Sequence, residues 1–124
     1  MAENRDIVER TFDFSIRIVK LAQHMSKDST CNRILARQIL RAGTSIGANV
    51  EEAKGGQSRA DFIHKYSIAL KEARETNYWL RLLVASEIVN KQKLLDLVTE
   101  SEEIKNIIAK IIINSRKGNK TTEE

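Results

Sequence analysis

Asp61 and His64 stand three residues apart in this 124-residue chain, a carboxylate–imidazole spacing that helical bundles use to hold a di-iron centre. Such a centre needs a second pair of the same kind and further inward carboxylates. The other histidine, His24, has Leu21 three residues before it, so the second half is missing. His64 also falls off the apolar stripe of Phe62 and Tyr66, which suits a solvated side chain. No metal and no cofactor are expected. Cys31, the single cysteine, falls in the first turn of an expected helix, where the helix dipole can lower a thiol pKa. A nucleophile still needs a base and an orienting group, and no motif links Cys31 to either histidine. It reads as an inert small residue, and no catalytic residue is assigned. One cysteine permits no internal disulfide, which fits a reducing cytoplasm.

Gly55-Gly56-Gln57-Ser58-Arg59 sets glycines and an arginine at a helix N-terminus, where free N–H groups attract anions. No strand precedes it and no Gly-Lys-Ser/Thr ending follows, so it reads as an inter-helix turn rather than a P-loop. Arg33, Arg37 and Arg41 fall at i, i+4 and i+8, and Thr44 extends the row with a neutral donor. Arginines so spaced can follow a phosphate backbone, which makes these four the candidate nucleic-acid-binding residues. A charge run is more often a solvated helix face, and no aromatic is interleaved here for base stacking. Any recognition by this ridge would be of backbone or shape, not of sequence. Ser45, Asn49 and Glu52 form a polar row that Lys71, Glu72 and Glu75 can meet. The six are expected to form an inter-helix hydrogen-bond network that fixes register. A catalytic carboxylate pair is the poorer reading, because no histidine or metal signal joins it. Tyr78 and Trp79 read as packing or interface residues.

The elements that must position these residues are written in a beat of threes and fours, with no proline to interrupt it. Phe62, Tyr66, Ala69, Ala73, Thr76, Leu80 and Leu83 share one helical stripe; so do Leu94, Leu97, Ser101, Ile104, Ile108 and Ile111. The spacing predicts four helices, at about residues 4–26, 29–54, 58–85 and 90–116. Ser29 or Asp28, Ser58 and Asn90 are the expected N-caps, and Gly55-Gly56 can supply a left-handed turn after the second helix. Short connections force antiparallel neighbours. The fold class is therefore all-α, an antiparallel up-down-up-down four-helix bundle over residues 1–116, with a disordered tail at 117–124.

Two of these helices carry unusual features. The first has two apolar stripes, Val8/Phe12/Ile16/Val19 and Ile7/Phe14/Ile18/Leu21/Met25, more width than one bundle core needs. The second stripe implies either a deep packing position or a subunit interface, and is taken as the candidate oligomer interface. The second helix has a core stripe of Leu35, Ile39, Ala42, Ile46, Val50 and Ala53, flanked by Gly43 and Gly47. Mid-helix glycines cost about 1 kcal/mol each against alanine, which a close helix crossing would offset. Charged residues are 31% and the net charge is +4, concentrated in the first two helices. That excess is too mild to diagnose nucleic-acid binding by itself. No apolar run is long enough for a membrane span, and the first residues lack the order of a secretory signal.

The stretch Arg41-Ala42-Gly43-Thr44-Ser45-Ile46-Gly47-Ala48-Asn49-Val50-Glu51-Glu52-Ala53 resembles the second-helix signature of bacterial four-helix-bundle proteins encoded in rRNA intervening sequences. Asp61-Phe62-Ile63-His64-Lys65, Ile68-Ala69-Leu70-Lys71-Glu72-Ala73 and Glu75-Thr76-Asn77-Tyr78-Trp79-Leu80 match in order and spacing, and the likeness extends more weakly to the first and fourth helices. The family also looks related to the accessory proteins of diversity-generating retroelements, which assemble as basic pentameric barrels. The resemblance implies a small cytoplasmic homopentamer associated with structured RNA or a ribonucleoprotein, with no enzymatic role. A protein–protein assembly module without nucleic-acid binding is the alternative.

Overall fold

In a computed structural model of the protein, the described residues are 2–27 and 29–123, with side chains described for 7–27 and 29–118. Four helices follow one another: α1 (Ala2–Met25), α2 (Thr30–Lys54), α3 (Arg59–Ser86) and α4 (Lys91–Glu123), with no strand among the described residues. The caps explain the starts. Ser29 Oγ accepts the Asn32 N–H at 3.1 Å, and Ser58 Oγ accepts the Asp61 N–H at the same distance. Asn90 Oδ1 accepts the Gln92 N–H at 2.9 Å. Each bond satisfies a donor that the first helical turn would otherwise leave open. The alternative cap Asp28 and most of the expected C-terminal tail, from Asn119 on, lie outside the residues whose side chains are described.

The ends of α2 and α3 correct one expectation. Gly55 closes α2 at φ −93°, ψ 7°, and no glycine among the described residues has positive φ. The left-handed residue is Glu87, at φ 56°, after α3, where its N–H reaches Val84 O at 3.2 Å.

The helices pack in an antiparallel up-down-up-down order: α1 on α2, α2 on α3, α3 on α4, and α4 back against α1 along the thinnest of the four interfaces. The α3 seam from Tyr66 to Leu83 is buried, as is the α4 seam from Leu94 to Ile111. Gly43 and Gly47 are both buried at the α1 crossing. Where α1 and α4 meet, Arg10 joins them. Its Nε and Nη2 donate to the two Glu100 oxygens at 3.0 and 2.7 Å, and Nη2 also donates to Glu103 at 2.9 Å. The Glu100 carboxylate, more than any other group, holds this guanidinium charged.

Helix α1 is oriented opposite to expectation. Ile7, Phe14, Ile18, Leu21 and Met25, read as the oligomer interface, are inside the bundle. The reason is Thr11. With it, positions 7, 11, 14, 18, 21 and 25 keep an unbroken four-three beat along the helix, the geometry a core seam needs. Thr11 is buried without penalty because its hydroxyl donates to Ile7 O at 2.8 Å. Of the other stripe, Val8 packs against the core, while Phe12, Ile16 and Val19 face outward, 61%, 41% and 38% exposed.

Candidate functional site

The α2 ridge is exposed at Arg33, Arg37 and Arg41, but its members are engaged differently. Arg33 Nη2 donates to Thr30 Oγ1 at 3.0 Å, one turn back on its own helix. Arg37 has no hydrogen-bond or ion-pair partner among the described residues. Arg41 reaches across to α3, where Nη1 donates to Glu72 Oε1 at 3.3 Å and Nη2 ion-pairs with Glu75 Oε2. Thr44 donates its hydroxyl proton to Leu40 O at 2.7 Å, so that proton is used within the helix and the row does not gain the extra donor expected of it.

The expected polar network forms in a different pattern. Asn49 Nδ2 donates to Ser45 O at 2.8 Å and stays within α2. Glu52 pairs with Lys65 at 2.9 Å, not with Lys71. Glu72 and Glu75 are joined to α2 by Arg41, a residue assigned to the ridge. Glu75 Oε2 also accepts the Trp79 indole N–H at 3.0 Å. That N–H first, and Arg41 after it, hold the Glu75 carboxyl below the usual carboxylate range. Glu72 is 8% exposed, and its Oε2 has no hydrogen-bond partner among the described residues. Arg41 is therefore the charge that makes a buried Glu72 tolerable.

Sequence reasoning placed Lys71 in the inter-helix network and Tyr78 in packing or an interface, and did not join them with Arg74 and Arg81 into one outer face of α3. Lys71, Arg74, Tyr78 and Arg81 are all exposed there. Tyr78 lies against Trp79, ring centroids 5.2 Å apart and planes at 69°. Trp79 is half-buried against the core, whereas its neighbour is 50% exposed, so the two aromatics do not share one packing role. The signal was present in the three-four-three spacing of positions 71, 74, 78 and 81, opposite the buried seam.

The remaining candidates do not assemble into chemistry. Cys31 and His64 are exposed, and no three His, Cys, Asp or Glu side chains converge to hold a metal among the described residues. At the α2–α3 turn, the Gly55 and Gly56 N–H groups donate to Glu52 O and Ala53 O, at 3.2 and 3.1 Å. Arg59 Nη1 donates to Ser115 O at 3.1 Å and so tethers α4. These groups are committed to the fold rather than held open for a phosphate. No helix is long and apolar enough to cross a membrane among the described residues.

Comparison with known proteins finds a matching family model and similar solved structures. A family model described as 23S rRNA-intervening sequence protein matches residues 3–110. A crystal structure of a protein with unknown function from the S23 ribosomal protein family of Bacteroides thetaiotaomicron is similar at 41% identity and a TM-score of 0.81, covering 89% of this chain and 97% of that one. No curated protein matches the sequence.

Proposed function

Because the chain belongs to the 23S rRNA-intervening sequence protein family, we propose that it is a non-enzymatic, homo-oligomeric cytoplasmic scaffold that contacts RNA or a ribonucleoprotein through basic helix faces. The observation that carries this reading is a set of exposed cations on adjacent helices. Arg37 on α2 and Lys71 and Arg74 on α3 have no ion-pair partner among the described residues. Phosphates are the ligand such cations attract without needing a shaped pocket.

Self-association is supported by Phe12, Ile16 and Val19, which leave an apolar stripe of α1 outside the bundle. A ring, a pentamer as the resemblance implies, would cover that stripe and repeat the basic faces, so that weak contacts combine. The test is RNA affinity at several salt concentrations, with light scattering on the same sample. Binding that weakens steeply with salt, from an oligomer, is the expected result. A monomer without RNA affinity overturns the reading. Salt-tolerant recovery of one protein partner, with no RNA retained, favours the assembly module instead, which the same apolar stripe would serve.

A further inference from the structure

On the outer side of α3, Lys71, Arg74, Tyr78 and Arg81 follow at intervals of three, four and three residues. That spacing lines side chains along one helix face, here the reverse of the seam through Ala69, Ala73, Thr76, Leu80 and Leu83. Lys71 and Arg74 have no hydrogen-bond or ion-pair partner among the described residues. Arg81 donates from Nε to Asn77 Oδ1 at 2.8 Å, and its terminal nitrogens keep no partner there. Glu75, one turn along the helix, attracts Lys71 weakly but is already held by Trp79 and Arg41. The face is therefore cationic in effect as well as in composition.

A half-exposed tyrosine sits in the middle of it. Tyr78 is 50% exposed, one turn from Arg74 on one side and Arg81 on the other. Its ring is steadied by the near-perpendicular indole of Trp79, which is in turn fixed through its N–H to Glu75. An aromatic ring held in place among cations, with half its surface open, is what binding of a single strand requires: a surface for a base and charges for the phosphates beside it. Duplex RNA hides its base faces in the stack and could use only the charges.

We propose that this face binds single-stranded RNA, with an unpaired base stacked on Tyr78 and the flanking phosphates held by Lys71, Arg74 and Arg81. The proposal rests on the RNA-binding reading above and narrows its ligand to unpaired nucleotides. Lys71 to Arg81 spans about 15 Å of helix, so the contact is short and gains from repetition in an oligomer. An acidic protein segment would satisfy the cations but would have no use for the open ring.

The experiment is fluorescence anisotropy on the full chain with three probes: a short oligouridylate, an RNA duplex of equal length, and polyglutamate. Wild type is compared with Tyr78→Phe, Tyr78→Leu and the double variant Lys71→Gln/Arg74→Gln, each checked for unchanged helicity. Tyr78→Leu should weaken oligouridylate binding about tenfold, while Tyr78→Phe, which keeps the stacking face, stays near wild type. Duplex binding should respond to neither. The double variant should flatten the salt dependence of single-strand binding by about 0.7 for each phosphate no longer neutralised. If wild type binds RNA and Tyr78→Leu binds it equally well, the platform is wrong while the RNA reading stands. Absence of binding to both RNAs overturns the two together, and a preference for polyglutamate reassigns the face to an acidic protein.

Discussion

Gly43 of α2 lies directly against Ile18 of α1: a methyl group added at Gly43 would come 2.7 Å from Ile18 Cγ2 and 2.9 Å from its Cγ1. Both atoms belong to a fully buried, β-branched side chain with little rotamer freedom. At Gly47, four residues on, the added carbon would stand 3.1 Å from Thr11 O and 3.2 Å from Ser15 Oγ. The two glycines let α1 and α2 approach closely, but the first position is the tighter.

Gly43→Ala should therefore destabilise by about 1–3 kcal/mol, an overpacking cost that outweighs the helix propensity of alanine. Gly47→Ala should come out nearer neutral, because about 1 kcal/mol of propensity gain opposes a milder crowding. Denaturant midpoints of the two variants measure this. A Gly43→Ala protein more stable than wild type would show that Ile18 yields freely.

The α1 stripes allow folding and the proposed assembly to be tested separately. Phe12→Gln with Ile16→Gln removes apolar surface that faces solvent in the monomer, so stability should change by no more than about 0.5 kcal/mol per site. Light scattering should then show smaller species than wild type gives at the same concentration. Phe14→Ser removes a core residue and should cost about 3–5 kcal/mol whatever the oligomeric state. Were Phe12→Gln/Ile16→Gln to leave the assembly unchanged, the interface would have to lie elsewhere.

How legible this was in the sequence varies with the reach of the side chain. The α3 and α4 seams could be read outright, because short apolar residues at three-four spacing bury wherever the helix packs. The α1 stripe was misread because Thr11 looks like a gap until its hydroxyl is seen returning to Ile7 O. The left-handed residue at Glu87 was hidden because glycine, its usual occupant, stood at Gly55 and Gly56 instead. Arg41 was harder still. Its position on the helix wheel says ridge, but a long guanidinium arm crosses to Glu72 and Glu75, and no spacing rule within one helix predicts that crossing.

Alkaline pH offers an independent probe of the core. Tyr66 is buried in the α3 seam, and desolvation pushes its phenol from 10.0 up to about 12. The folded pKa lies above the unfolded one, so its stabilising contribution is complete below pH 10.0 and is lost as pH rises through about 12. Tyr66→Phe cannot ionise, and its stability curve should fall less across that window. Curves that stay parallel from neutral pH through the tyrosine range would mean that the phenol is as well solvated folded as unfolded.

The arginine ridge should divide in the same way that its contacts do. Arg37 is exposed without a partner among the described residues, whereas Arg41 is bound to Glu72 and Glu75. Arg37→Gln should leave stability within about 0.5 kcal/mol of wild type. It should lower RNA affinity and flatten the salt dependence by about one counterion. Arg41→Gln strips the partner from a buried carboxylate and should destabilise by about 1–2 kcal/mol, a modest figure because the guanidinium itself is half exposed. Its effect on RNA affinity should be the smaller of the two, since phosphate would have to displace two carboxylates to reach it. RNA affinity at several salt concentrations and denaturant midpoints for both variants decide the matter. If Arg41→Gln costs more binding than Arg37→Gln at unchanged stability, Arg41 leaves its carboxylates for RNA, and the α2–α3 contact is a latch rather than a strut.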